Sequence, residues 1–275
     1  MASLTPLYSS FNTQESTTSS TAVPTSASIA GSSFEDGVDY LVFFSAGFGA
    51  SSSNSLAYVE VFFNGTRIGI GSDEGSSSGT PEASRIASLQ GCYIVTGTGT
   101  GDGLSMTMKQ TSGTAYVKGG TLVAIPLDEL TENEDYYYGQ HNFDNPITVT
   151  NSWVTVLSKT FDLQREGDYL VLASLQAYID SGSNSDSNAV RFSIDANAQK
   201  MTFAKEWEDN RADRNYMYSR VHNLSEGNHT FLLEGGTVQG TASKNYQRQR
   251  IIVVDLSIFD QYLTISDDTE TYTGA

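Results

Sequence analysis

Apolar and polar residues alternate along several short stretches of this chain, and clusters of Gly, Ser and Asn separate those stretches. In one of them Ile252, Val254 and Leu256 share one side, while Asp255 and Ser257 share the other. Alternation with a period of two is the pattern of a β-strand with one buried face. No window of a dozen residues keeps the apolar period of a helix. The pattern therefore predicts an all-β protein.

The strand-like stretches occur twice in the same order. Three motifs of the first half recur in the second. Asp39-Tyr40-Leu41-Val42 recurs 129 residues later as Asp168-Tyr169-Leu170-Val171. Val59–Gly65 corresponds to Val190–Ala196, 131 residues later, and Leu122–Leu127 corresponds to Ile251–Leu256, 129 residues later. Few residues are identical, so the comparison depends on pattern and order. One pattern repeated at nearly constant spacing indicates a tandem duplication.

Short strands joined by Gly- and Ser-rich turns are typical of a β-sandwich. The predicted fold class is all-β, with two tandem jelly-roll-like β-sandwich domains and an extended N-terminal arm. An arm is expected because its many Ser and Thr residues cannot bury much surface. The predicted boundaries are the arm at 1–20, a first sandwich at 21–130, an acidic and aromatic linker at 131–146, a second sandwich at 147–263 and a C-terminal tail at 264–275.

Two strands of the first half are apolar on both faces. Leu41 and Phe43 alternate with other apolar residues in one strand, and Leu56, Tyr58 and Phe62 do so in the other. Such strands would leave an apolar patch on a monomer, which is typical of an interface with a capsid or another subunit. Alternatively, a second sheet or the N-terminal arm covers them. The interface hypothesis makes the first sandwich the assembly domain.

The linker adds three candidates to this interface. Tyr136, Tyr137 and Tyr138 follow an acidic run that includes Glu132 and Asp135. An acidic run is typical of a solvated linker. Three consecutive aromatic side chains instead favour docking of the linker onto a neighbour. Both interpretations are compatible with the sequence.

Charge and targeting signals exclude several classes of partner. A formal net charge of −17 repels nucleic acid. The first residues lack the basic and apolar regions of a signal peptide, and no stretch approaches the roughly 18 apolar residues of a membrane helix. The single cysteine, Cys92, lies in a strand-like run and is predicted to be a small buried residue. We therefore expect no nucleic-acid or membrane partner and no export signal.

Catalytic patterns are not recognisable in the sequence. None of His141, His222 and His229 has the spacing of a metal site, and no Ser lies in a nucleophile elbow between a strand and a helix. We expect the histidines to occupy surface loops. The sequence thus predicts a protein that is not an enzyme, with no catalytic residues, no metal and no cofactor.

One order of motifs resembles a known group of proteins. Gly167-Asp168-Tyr169-Leu170-Val171, Val190-Arg191-Phe192, Gly227–Leu232 and Arg250–Leu256 look like small jelly-roll modules in structural proteins of tailed bacterial viruses, cyanophages especially. The resemblance covers residues 147–260 and, more loosely, 34–127. It implies a virion protein, such as a capsid decoration (cement) protein or a tail component, commonly trimeric. As a decoration protein it would have the major capsid protein as its partner, stabilising the shell.

Two other functions remain open from the sequence. A tail or fibre component with the same fold would bind a host-surface glycan or receptor through exposed aromatic residues, and Trp207, Tyr216 and Tyr218 are the candidates. A sandwich-fold carbohydrate-active enzyme is the third possibility. It would need a pair of carboxylates, and no such pair is identifiable among 32 acidic residues.

Overall fold

The computed structural model describes residues 5–51, 55–74, 87–140, 147–149, 152–179, 187–206, 214–239 and 244–257. Most of these residues are in antiparallel β-strands, which confirms the predicted fold class. The strands of the first half are β1 (Leu7–Phe11), β2 (Glu15–Thr17), β3 (Val23–Ile29), β4 (Asp39–Ala50), β5 (Leu56–Phe63), β6 (Thr66–Glu74), β7 (Ala87–Thr96), β8 (Leu104–Gln110) and β9 (Ala115–Pro126).

The second half repeats this series. Its strands are β10 (Tyr136–Gln140), β11 (Ile147–Val149), β12 (Val154–Leu163), β13 (Gly167–Ile179), β14 (Ser187–Ile194), β15 (Asn197–Glu206), β16 (Arg214–Leu224), β17 (Gly227–Gln239) and β18 (Lys244–Asp255). The two sheets of the first sandwich have the strand orders β1-β9-β4-β7 and β3-β8-β5-β6. The equivalent sheets of the second sandwich have the orders β10-β18-β13-β16 and β12-β17-β14-β15. Both halves therefore have one topology, as the duplication predicts.

The domain boundaries differ from those predicted, because the arm and the linker each contain an edge strand. Within the arm, β1 pairs with β9 from Leu7↔Ala124 to Phe11↔Gly120. Within the linker, β10 pairs with β18 from Tyr136↔Val254 to Gln140↔Arg250. The two segments are equivalent parts of the repeat. An edge strand tolerates polar residues on its outer side, so its composition resembles that of a loop.

An ion cluster holds the linker strand in place. Arg165, in the turn between β12 and β13, donates to Asp135 at 2.9 Å and to Asp255 at 3.0 Å. The Asp255 side chain is only 1% exposed. Both carboxylates raise the pKa of Arg165, with Asp135 the larger influence. The start of β10 is thus tied to the end of β18.

The two halves also share their hairpin turns. Asn64 and Gly65 join β5 to β6 with φ angles of 46° and 76°, and Asp195 and Ala196 join β14 to β15 with φ angles of 50° and 63°. Two consecutive positive φ angles are typical of a type I′ hairpin turn. Asn64 Oδ1 accepts the N–H of Gly103, just before β8, at 2.9 Å, and Asp195 Oδ1 accepts the N–H of Thr230 in β17 at 2.7 Å. The turn chemistry is conserved between the repeats although the residues differ.

A third apolar core lies between the sandwiches. Each sandwich has its own core between its two sheets. The outer sides of sheets β1-β9-β4-β7 and β10-β18-β13-β16 also pack on each other, through buried residues Leu41, Cys92, Ile94, Leu127, Tyr136, Leu172, Ile252 and Val254. We call this contact the junction. The residues that the structure describes therefore form a stack of four sheets, in which the first and last sheets are the outer layers.

Candidate functional site

Four of the predicted interface residues belong to the junction. Leu41 and Tyr136 are each 4% exposed, and Phe43 and Tyr138 pack against the same cluster. For Leu41 and Phe43 the hypothesis of a contact with a neighbouring subunit is wrong and the alternative is correct, since a sheet of the second sandwich covers them. Tyr136 and Tyr138, on β10 of the second sandwich, pack on the first sandwich of the same chain rather than on another subunit. Apolar residues on both faces of β4 are explained by its position in the middle of the stack.

Polar groups join the sandwiches around this apolar centre. Arg250 of β18 donates through Nη2 to the Ile68 carbonyl at 3.0 Å, and its guanidinium lies 4.3 Å from the centroid of the Tyr93 ring. Burial lowers the pKa of Arg250 to about 10. Asn215 donates to the Ile70 carbonyl at 3.1 Å. These contacts fix the orientation of one sandwich relative to the other.

Two ionisable side chains of the junction are placed for structure rather than for reaction. Burial raises the pKa of Cys92 to about 11, so its thiol stays protonated and is a poor nucleophile. This agrees with the predicted role of a small buried residue. Burial, followed by the nearby Asp39, also raises the pKa of Tyr136, whose hydroxyl donates to the Asp39 carboxylate at 2.7 Å.

The remaining tyrosines chosen from the sequence lie inside the second sandwich. Tyr137 is 1% exposed, and Tyr216 and Tyr218 are each 8% exposed. All three pack in the core of that sandwich. Alternation along β10 and β16 turns them inward, so little of each side chain is left to contact a capsid or a glycan. Trp207, the other predicted glycan contact, lies outside the described residues.

The last three candidates lie on the outward face of β5. Leu56, Tyr58 and Phe62 are partly buried, whereas the alternating Ala57, Val59, Val61 and Phe63 fill the core of the first sandwich. The sheet β3-β8-β5-β6 is an outer layer of the stack. We call the surface formed by Leu56, Tyr58 and Phe62, with the charged residues between them, the β5 face.

A buried carboxylate organises the β5 face. Glu60 lies between Tyr58 and Phe62 and accepts from Arg67 Nη1 at 2.7 Å and from Lys109 Nζ at 3.0 Å, and its side chain is 3% exposed. The Lys109 ammonium also lies 5.4 Å from the centroid of the Tyr58 ring. Glu60 thus orients Lys109 against the Tyr58 ring, and Arg67 and Lys109 lie beside the apolar side chains of this face. The face is thus preorganised, with apolar and cationic groups side by side.

One group of side chains resembles a catalytic triad but lacks its chemistry. His229 Nδ1 lies 2.6 Å from the Asp195 carboxylate, and His229 Nε2 lies 3.3 Å from Ser225 Oγ. The same Nε2 lies 2.9 Å from the Ser225 carbonyl oxygen. That oxygen only accepts, so an Nε2–H donates to it and cannot remove a proton from the hydroxyl. The group instead fixes the turn between β16 and β17.

Across the part of the chain that the structure describes, no three His, Cys, Asp or Glu side chains converge as a metal site. Within the same ranges, none of the helices has the length and apolar character needed to span a bilayer.

Comparisons with known proteins find only distant likeness. No protein-family model and no curated protein sequence matches the chain. The insecticidal delta-endotoxin Cry8Ea1 from Bacillus thuringiensis is 7% identical with a TM-score of 0.29, and the match covers 79% of this chain and 53% of that chain. This chain therefore spans about half the length of the endotoxin.

Virus particles are also among the similar structures. The T=1 particle derived from infectious bursal virus is 8% identical with a TM-score of 0.33, covering 91% of this chain and 69% of that chain. The T13 particle of IBDV is 9% identical with a TM-score of 0.35, covering 93% and 70%. Identities and TM-scores this low define neither a family nor a function.

Proposed function

We propose that this chain is a structural protein of a virus particle, and specifically a capsid decoration protein that acts through its surfaces rather than as an enzyme. In this proposal the β5 face binds across neighbouring capsid subunits and stabilises the shell. The resemblance of the strand motifs to modules of tailed bacterial viruses supports this role.

The observation that carries the proposal is the partial exposure of Leu56, Tyr58 and Phe62 on an outermost sheet. Large apolar side chains held around a buried ion network form a ready contact, because little side-chain entropy remains to be lost on binding. The cations Arg67 and Lys109 are 37% and 29% exposed, so they favour an acidic partner surface.

The junction explains how such a contact could strengthen a shell. A bridge between capsid subunits resists strain only when its own parts do not move. The third apolar core and the Arg250 contacts join the two sandwiches into one body. We propose that three copies assemble through the same first sandwich, as is common among the proteins that the motifs resemble.

The test is a pair of substitutions on the β5 face. Tyr58→Ser and Phe62→Ser should abolish co-sedimentation with purified particles that lack the chain, and light scattering of the wild type should give the mass of a trimer. Tyr8→Ser is the control, because Tyr8 is 64% exposed on β1, which belongs to a different sheet. Unchanged co-sedimentation of both variants would refute the β5-face contact, and a monomer mass would refute the trimer. Many copies per particle would agree with decoration, whereas a few copies would indicate the tail.

A further inference from the structure

The opposite end of the stack carries an exposed tryptophan. Trp153 precedes β12, and it and Val154 are each 36% exposed. Its indole ring lies across Gly236 of the adjacent strand β17, where a Cβ would come within 2.8 Å of the ring atoms. Because glycine has no Cβ, Gly236 allows the indole ring to lie close to the backbone of the outer sheet.

Two charged side chains accompany the indole. The Arg191 guanidinium lies 4.6 Å from the centroid of the Trp153 ring. Glu234 holds that guanidinium with two hydrogen bonds, from Nε at 2.5 Å and from Nη2 at 2.8 Å. Their side chains are 39% and 14% exposed. A bidentate pair is the most strongly oriented contact that these residue types form, so the three side chains form one rigid group, which we call the Trp153 platform.

The platform offers both donors and acceptors to a ligand. A guanidinium has five N–H groups, and the two bonds to Glu234 use two of them. Each carboxylate oxygen has a second lone pair. Vicinal hydroxyl groups of a sugar both donate and accept, and the C–H groups on one side of a pyranose ring form an apolar surface. An aromatic ring beside a fixed donor–acceptor pair matches that combination.

The exposed area and the charge of the platform distinguish a sugar from other ligands. The exposed 36% of the indole corresponds to on the order of 50–90 Å². A stable protein interface needs about 800 Å² per partner, and Thr155 and Ser158 nearby are polar and exposed. An anion is disfavoured because Glu234 already neutralises Arg191 and the chain carries a net charge of −17. With a protein partner and an anion both disfavoured, a small neutral polyhydroxy compound is the class of ligand that fits the platform.

We propose that the Trp153 platform binds a neutral saccharide through the indole, Arg191 and Glu234. The site lies on the sheet β12-β17-β14-β15, at the other end of the stack from the β5 face. It is therefore independent of the shell-binding proposal, and one molecule could bind a shell at one end and a glycan at the other.

An array of neutral hexose oligosaccharides, followed by titration calorimetry of each hit, tests the proposal. We expect Trp153→Ala to weaken binding by about tenfold or more, as for loss of one anchoring aromatic side chain. Gly236→Ala should also weaken it, because the new methyl group displaces the ring while every ligand-binding group remains. Far-ultraviolet circular dichroism checks that both variants fold.

Tyr8→Ala, an exposed aromatic residue far from the platform, and the two β5-face variants should bind as the wild type does. Binding by no neutral oligosaccharide of the array would overturn the proposal. So would binding that survives both Trp153→Ala and Gly236→Ala, or binding restricted to charged glycans and lost on adding salt. Loss of particle binding alone, with saccharide binding kept, would affect only the β5 face.

Discussion

Leu172→Ala tests whether the junction is a true core. Leu172 lies on β13, is 1% exposed and packs against the first sandwich. The substitution removes three carbon groups, each worth about 0.8 kcal/mol of burial, or about 2.4 kcal/mol in total. The cavity left behind adds to this, so the free energy of unfolding should fall by about 2–5 kcal/mol. The matched control is Leu233→Ala, which is 0% exposed in the second sandwich's own core.

Two assays measure the effect. Urea denaturation gives the free energy of unfolding of each variant. Labelling of Cys92 with a thiol reagent at low urea reports opening of the junction, because this single cysteine is buried there and burial raises its pKa to about 11. A loss of 2 kcal/mol in the junction should increase labelling about 30-fold. Leu233→Ala should cost similar stability with a smaller increase in labelling at low urea.

The reasoning would be refuted by a specific pair of results. If Leu172→Ala costs less than about 0.5 kcal/mol, the side chain behaves as a surface residue. If Cys92 in the wild type also reacts as fast as in the urea-unfolded chain, the sandwiches do not pack on each other. Together these results would restore the hypothesis that Leu41 faces a neighbouring subunit.

Three further substitutions test separate features. Glu60→Gln leaves two cations without their carboxylate, so the free energy of unfolding in urea should fall by about 1–3 kcal/mol; no change would contradict the ion network. Arg165→Met separates Asp135 from Asp255, and because Arg165 is 45% exposed we expect a loss of about 1–2 kcal/mol by the same assay. Burial lowers the pKa of His222 below its usual 6.5, so the unfolded chain binds this proton more readily than the folded protein does. The folding stability that is present above that pH should therefore decrease as the pH falls below it. His222→Gln should reduce this dependence of the melting temperature on pH. An equal slope in both proteins would show that other groups dominate.

The strand pattern and the duplication were predictable from sequence because they depend on local alternation and on spacing. The last strand is an example, since Ile251 and Val253 point into the second sandwich while Ile252 and Val254 point into the junction. The alternation of Ile252 and Val254 with Asp255 predicted one buried face, but that face lies in the junction and the sandwich core is filled from the other side of the strand. The sequence does not show that the covering surface is the other half of the same chain, because that pairing joins residues far apart along the chain.

The edge strands and the platform were missed for related reasons. The polar residues of β1 give it the composition of a disordered segment, although Leu7 and Phe11 pack against the core of the first sandwich. Trp153 meets Gly236 only through the register of β12 with β17. A usable signal was present, since the pair Gly235-Gly236 inside a strand-like stretch indicates close approach of another group.

The equivalence of β1 and β10 has a consequence for biosynthesis. Each is the first strand of its half and pairs with the last, so neither sandwich can close until its final strand leaves the ribosome. Such distant pairing is slow to form. The first sandwich can fold before the second has been synthesised. Leu41 and Ile94 on its surface then stay exposed to solvent until Val254 has been translated. Nascent chains at this stage would be the ones most prone to associate with each other, and a chaperone would have its clearest target there.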